Sequence, residues 1–452
     1  MKGPVITVVG GGLAGSEAAW QAARMGVSVH LYEMRPKCSS EVHKTGRLAE
    51  LVCSNSLGTD RPDKAPGILK EDLRTLGSLI MQCADRFRVP AGQALAVDRE
   101  MFSRAVTDAL ESRPEITIHR EEVEKMPPEP VVVATGPVTS PAFSRVLLNL
   151  LGRDHLYFYD AVSPIISGET IDRLAVFAAS RYEDGEGDYL NCPLTLQQYQ
   201  EFREALRQAE RVPYTVSEPR RFFEGCVPVE ELAERGEETL RYGPMKPVGL
   251  RDPKTGKVPY AVVQLRSENR EKTMYSPVGF QTRLLWGEQR RVFRMLPGLS
   301  HASFFRYGVM HRNIFIHSPS HLLPSLQQID RRGRWFAGQM VGVEGYLEST
   351  AAGLVAGVNA ALYARGLAPL LFPRETAVGA LLDYVSSHEG PEFQPMNINF
   401  GLFPAETQGE NGGRSKVERH RRIALRSRQG IEKVRRELER LIPELSMEEC
   451  RT

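Results

Sequence analysis

Cysteine is scarce in this chain, with six residues, Cys38, Cys53, Cys83, Cys192, Cys226 and Cys450, in 452. No two of them form a CxxC pair, which argues against a disulfide framework and a zinc ribbon and leaves reduced thiols, with no metal site expected. Long apolar runs are missing as well. Without a stretch of roughly 18 apolar residues no membrane span is read, and the N-terminus enters a strand pattern directly instead of a signal peptide, so a cytoplasmic protein with no membrane partner is expected. The third absence is excess charge. Lys and Arg number 58 against 56 Asp and Glu, a net charge of +2, so any polyanionic partner has to be met by a local basic patch.

What the chain does have is length and patterned glycine. With 452 residues and 41% hydrophobic content, it exceeds one ordinary core, and two domains, one inserted in the other, are the default. Residues 4–35 organise the rest. The β-branched run Val5 to Val9 reads as a buried parallel strand and feeds into Gly10, Gly12 and Gly15 at GxGxxG spacing before an Ala-rich helix. Gly10 permits the tight turn, Gly12 lets the backbone approach a pyrophosphate, and Gly15 allows close helix packing. A second apolar run ends at Glu33, about 20 residues on, where an acid can take ribose hydroxyls. A dinucleotide site is expected. The buried strand ending in Ala134-Thr135-Gly136 adds the second half-signature of flavoproteins with two dinucleotide-binding domains and favours FAD over NAD.

Residues 37–67 are rich in Ser, Asn, Gly and Pro and read as an elaborated loop near the carboxyl ends of the strands, where ligands bind in open α/β sheets. Cys53 lies there. A buried structural thiol and a thiolate favoured by His43, Lys44 and Arg47 both fit it. Residues 68–87 carry Leu69, Leu73, Leu76 and Ile80 at helical spacing and predict one helix, with Cys83 in its core. Between about 160 and 290 the glycine signatures stop and polar helices alternate with Pro-punctuated loops, which predicts an inserted domain. Within it, Cys226 follows Arg220, Arg221, Phe222, Phe223 and the flexible Gly225, the ingredients for phosphate contact, base stacking and a mobile nucleophile; a solvated Arg pair beside a small aromatic core is the plainer reading.

Residues 276–321 supply aromatic faces and cations for a flat acidic ligand, among them Arg283, Trp286, His311 and His317. Trp335 to Ser349 is then a strand running into a turn with Gly338, Gly342 and Gly345, followed by a long Ala/Gly helix to about Tyr363, the place where a helix N-terminus can face a flavin. From Arg414 to Arg440 the chain is a basic amphipathic helix, either a solvated face or a nucleic-acid patch.

Together these stretches resemble the family of folate- and FAD-dependent tRNA (uracil-5-)-methyltransferases, relatives of the GidA flavoproteins. The resemblance is carried by GGGLAGSEAAW, YEMRP, AELVCSNSL, VATGP, NCP, FEGC, VGFQT with WGEQRRVFRM, RYGVMHRN and GQMVGVEGY, spread over nearly the whole chain. It implies an α/β fold: a Rossmann-like FAD-binding domain of the GidA/glutathione-reductase-like kind in two parts (1–160 and 291–370), an inserted α/β domain (161–290) and a mostly helical basic C-terminal segment (371–452). The cofactor set is then Gly10, Gly11, Gly12, Leu13, Ala14, Gly15, Glu33, Arg35, Gly136, Gly338 and Gly342. Trp286, His311, Arg283, Arg220 and Arg221 would face folate or tRNA.

The implied reaction is C5 methylation of the T-loop uridine of tRNA, with 5,10-methylenetetrahydrofolate as carbon donor, FAD as hydride source and NADPH or NADH as reductant. Uracil C5 is a poor nucleophile until a thiolate adds at C6, so a thiol is required. The resemblance gives that role to Cys226 and makes Cys53 the base at C5. No obligatory protein partner is implied. Two other readings compete: a GidA-type enzyme acting on a wobble uridine, disfavoured by the short C-terminal region, and an NAD(P)H:thiol oxidoreductase, which would want a CxxC.

Overall fold

The computed structural model describes residues 3–40, 42–151, 155–182, 187–213, 227–388, 393–404 and 415–445. At its centre is a five-stranded sheet in the order Arg334–Phe336, Val131–Val133, Val5–Val9, Ser28–Tyr32, Ile116–His119. Every pairing in it is parallel, with Val8 opposite both Leu31 and Val132. Parallel strands are covered on both faces, which is why these runs read as continuous Val, Ile and Leu.

One face is covered by two helices that touch through almost nothing but backbone. Leu13–Arg24 leaves the glycine turn and runs against Tyr346–Ala364. A Cβ on Gly353 would stand 2.2 Å from the Ala14 carbonyl oxygen, and one on Gly357 would stand 2.5 Å from that of Ala18. Small residues on both partners let the axes approach this closely, and the Ala/Gly composition of the second helix is the sequence trace of that contact.

The single helix expected over 68–87 is two. Gly77 takes a left-handed φ of +70° and ends Ala65–Thr75, and Ser78 starts Leu79–Arg86 by accepting from Met81 N at 3.3 Å. A glycine that adopts positive φ beside a capping serine breaks a helix that apolar spacing alone would continue. Cys83 is buried in the second helix, as expected.

Beyond Ala161 the architecture changes to antiparallel. Six strands align as Phe177–Ala178, Tyr189–Leu194, Ala261–Ser267, Met274–Pro277, Ile165–Ser167 and Phe304–Arg306. They pack on a core that includes Tyr199, Phe202, Phe280 and Phe293. Cys192 is fully buried in one of these strands. Entry and exit run along one antiparallel ladder, His155–Ala161 against Met310–Ile316. Because Phe304–Arg306 hydrogen-bonds to Ile165–Ser167 in this sheet, we propose that the inserted unit extends past residue 290 to this ladder.

The C-terminal segment is helical in Ala377–Ser387 and Lys416–Leu441. Its anchor is Asp72, buried on Ala65–Thr75, whose carboxylate accepts from Ser427 Oγ at 3.0 Å and from Ala377 N at 2.8 Å. Burial, only partly offset by these hydrogen bonds, pushes its pKa up to about 7. Among the described residues no helix is long and apolar enough to cross a membrane.

Candidate active site

The carboxyl ends of the parallel strands open onto a cleft. It is lined by Gly10, Gly11, Gly12, Leu13, Ala14, Glu33, Arg35, Gly136 and Gly338, chain segments more than 300 residues apart brought to one edge. Gly10 has φ +103°, and a Cβ there would lie 2.4 Å from the Ala134 carbonyl; one on Gly15 would lie 1.8 Å from the Gly10 carbonyl. Gly12 is the exception. A Cβ on Gly12 would meet nothing within 4 Å, so its side faces open space. Gly12 caps Leu13–Arg24 with no side-chain hydrogen bond, which leaves the first N–H groups of that helix for an anion. The second helix, Tyr346–Ala364, also begins uncapped, and its Tyr346 and Ser349 line the same cleft.

Glu33 and Arg35 form the floor at the other end. Glu33 Oε2 accepts from Gly11 N at 2.9 Å, and its two oxygens take Nε and Nη2 of Arg35 at 2.8 and 3.1 Å. Burial alone would raise the Glu33 pKa, but the hydrogen bonds and charge of Arg35 outweigh it and hold the carboxyl below its usual range. Arg35 reaches on to Glu50 at 3.1 Å. A buried carboxylate beside the glycine turn, uncapped N–H groups and an open Gly12 fit the adenosine diphosphate half of FAD.

Cys53 lies on the adjoining loop, half-buried, with its backbone held from several sides. Its N–H donates to Tyr346 Oη at 2.8 Å, Arg99 Nη2 donates to its carbonyl at 3.0 Å, and Arg99 Nη1 donates to Leu51 O at 2.7 Å. From the inserted sheet, Arg306 Nη2 donates to Val52 O at 2.5 Å. Arg99 is paired in turn with the buried Glu268 at 2.5 Å, whose other oxygen accepts from Ser276 Oγ. Burial would raise the Glu268 pKa, but the charges of Arg99 and Arg266 win and keep it low. The Cys53 loop therefore lies beside two guanidiniums, Arg99 and Arg306. His43 does not contribute as expected. It lines the cleft near Arg35 and Glu50, and burial, then the Arg35 charge, lowers its pKa to about 4, so it is uncharged at neutral pH.

Two expected site residues are committed elsewhere. Arg283 is buried in the inserted unit, where Nη2 pairs with Glu231 at 2.6 Å and Nη1 donates to Val212 O at 2.8 Å. Gly342 has φ +85° and packs beneath Phe393, where a Cβ would stand 2.4 Å from the ring, and it does not line the cleft. Trp286 is 63% exposed at the start of Trp286–Phe293. His311 is on the strand Met310–Ile316, opposite Asp160. Arg220, Arg221 and Cys226 lie outside the described residues. Arg99, Arg306, Glu268 and Tyr346 are the functional candidates that sequence reasoning missed. No local pattern marks them, because the clamp exists only once four separate segments meet.

The family model described as GIDA, Glucose inhibited division protein A, matches residues 5–368. A protein of Heliobacterium modesticaldum named methylenetetrahydrofolate--tRNA-(uracil-5-)-methyltransferase TrmFO is 55% identical over 423 residues, 93% of this chain and 96% of that one. The chain belongs to the TrmFO group of the GidA family. A second TrmFO, from Desulforudis audaxviator, is 58% identical over 405 residues, 89% of this chain and 92% of its own length. Among solved structures, Aquifex aeolicus GidA in its form II crystal superposes with a TM-score of 0.70 at 19% identity, covering 98% of this chain and 75% of that one. At that identity the match establishes the fold: a GidA-like α/β architecture with a parallel Rossmann-type sheet and a helical C-terminal segment. The TrmFO relatives are matched over nearly their whole length.

Proposed function

We propose that this protein methylates C5 of the T-loop uridine of tRNA, taking carbon from 5,10-methylenetetrahydrofolate and using FAD reduced by NADPH or NADH, in the cytoplasm. The observation that carries the reading is a dinucleotide cleft with a thiol loop clamped at its mouth by two arginines from different domains. The printed names of relatives at 55% and 58% identity supply the reaction class. When bound, FAD would supply the hydride that takes a formaldehyde-level carbon to a methyl group.

The chain's own residues do the rest. Gly12 and the N-terminus of Leu13–Arg24 would hold the pyrophosphate, and Glu33 the ribose beside it. Cys226 would add through Sγ to uracil C6, pushing the ring electrons to C5 so that C5 bonds to the one-carbon unit. Cys53, near Arg99 and Arg306, would then accept the C5 proton on its thiolate. Loss of that proton expels the folate nitrogen and leaves a methylene on C5; once that carbon has taken a hydride, the ring double bond re-forms as the Sγ–C6 bond breaks, and Cys226 leaves as thiolate.

The test is incubation of purified protein with undermodified tRNA, isotopically labelled methylenetetrahydrofolate and NAD(P)H, followed by nucleoside analysis of the separated arms. Labelled 5-methyluridine in the T loop is the expected product. Label at the wobble position, or none in RNA, would overturn the reading.

A further inference from the structure

Trp286 lies outside the cofactor cleft, yet it is the outer ring of a stack that ends beside the Cys53 clamp. Its indole lies on Tyr307 with centroids 5.6 Å apart and planes at 15°, and Tyr307 lies on Phe304 at 5.3 Å and 22°. Three rings in near-parallel register, the outermost 63% exposed, present a flat face to solvent. The stack is held rigidly from below. Arg290 donates through Nε and Nη2 to Tyr307 Oη at 3.1 and 2.8 Å, and the fully buried Gln289 grips Gly308 through both its N–H, at 2.7 Å, and its carbonyl, at 2.9 Å. Tyr307 directly follows Arg306, whose Nη2 holds the Val52 carbonyl next to Cys53.

An exposed tryptophan backed by two rings is a surface already ordered for stacking, so a flat partner gains the contact without further immobilisation of the protein. Arg290 is exposed and makes no ion pair with a carboxylate among the described residues, which leaves guanidinium donors beside the aromatic face. An aromatic plane with an adjacent unneutralised arginine is the pattern that binds single-stranded nucleic acid, base on ring and phosphate on cation. A pterin would present similar chemistry. It has to meet the hydride donor inside the cleft, however, and Trp286 is not among the cleft's lining residues. RNA is larger than the cleft and must continue over the rim.

We propose that Trp286 and Tyr307 form a stacking platform for an unpaired RNA base adjoining the target uridine, with Arg290 meeting the neighbouring phosphate. The inference rests on the tRNA reading above and assigns the part of the inserted unit that positions the RNA. These are positioning residues.

The other two tryptophans make the test direct. Trp335 is buried, and Trp20 is partly buried with its indole N–H on Gly77 O, so Trp286 is the one whose emission an RNA base can quench by stacking. A T-arm stem-loop RNA titrated into the FAD-loaded protein should quench tryptophan fluorescence. In Trp286→Phe the quench should vanish while affinity stays within about twofold. Trp286→Ala should weaken RNA binding and raise KM for tRNA roughly tenfold, with KM for methylenetetrahydrofolate unmoved. Arg290→Gln should lower the salt dependence of binding by about one unit of log–log slope. The platform is overturned if Trp286→Ala raises the folate KM and leaves the tRNA KM alone, or if the RNA binds without quenching. Quenching needs no turnover, so a wild-type protein that bound and quenched but transferred no methyl would sink the methylation reading and uphold the platform.

Discussion

The parallel-sheet unit and the inserted unit offer their chemistry in opposite ways. In the first, the cleft is made of backbone: glycines where a Cβ would collide, uncapped helix ends, and two helices that meet through Gly353, Gly357, Ala14 and Ala18. In the second, long side chains decide everything, and three arginines of similar local context have three fates. Arg283 is spent on Glu231, Arg306 reaches across to hold the Cys53 loop, and Arg290 supports an exposed ring stack. A backbone-built site is fixed by which residues are small, whereas a side-chain-built site is fixed by which partners the fold delivers.

The largest effect that sharpens this contrast comes from two glycines three positions apart. Gly12→Val should fold with near-normal thermal stability, because nothing lies within 4 Å of the new Cβ, yet purify without flavin absorbance. Gly15→Ala should instead be destabilised by about 3 kcal/mol or more, since its methyl overlaps the Gly10 carbonyl. A Gly12→Val protein that kept its flavin would break the assignment of that turn to the pyrophosphate. Arg283→Ala comes next. It should lower stability by about 3 kcal/mol by leaving Glu231 partly buried without its cation, with KM values for RNA and folate unchanged in the folded fraction, as read by denaturant melts and kinetics. A selective rise in either KM would return Arg283 to the substrate.

The same contrast explains what could be read from the chain. Gly10, Gly12, Gly15 and Glu33 sit at spacings dictated by one local strand-turn-helix unit, which brings Gly10, Gly12 and Glu33 to the cleft and packs Gly15 against the Gly10 carbonyl. Ser78 and Gly77 also act locally, but the apolar period of 68–87 masked the break between two helices. Arg99, Glu268 and Tyr346 were illegible because their partners lie up to 293 residues away. Gly342 was legible as part of a glycine turn, but not its neighbour Phe393, 51 residues on, which packs beside it.

A smaller effect concerns the docking of the C-terminal helix on the parallel-sheet unit. Burial raises the Asp72 pKa from its ordinary carboxylate value to about 7, so the folded state binds this proton more tightly than the unfolded chain does. Its contribution is fully present below the unfolded pKa and is lost as pH rises through about 7. Stability should therefore fall from pH 4 to pH 7 through this group, and Asp72→Asn should flatten that part of the profile in urea melts taken across the range. An unchanged slope would mean that Asp72 is ionised in the folded protein.

The proposed division of labour is tested most directly by the two thiols, Cys53 and Cys226. Each is changed to alanine and mixed with 5-fluorouridine-containing tRNA and methylenetetrahydrofolate, and covalent protein–RNA adduct is measured on a denaturing gel. Fluorine blocks removal of the group at C5, so only the attack on C6 is required. Cys53→Ala should lose turnover on normal tRNA and still form the adduct, while Cys226→Ala should form none. Adduct in Cys226→Ala and its absence in Cys53→Ala would contradict the account and exchange the two roles.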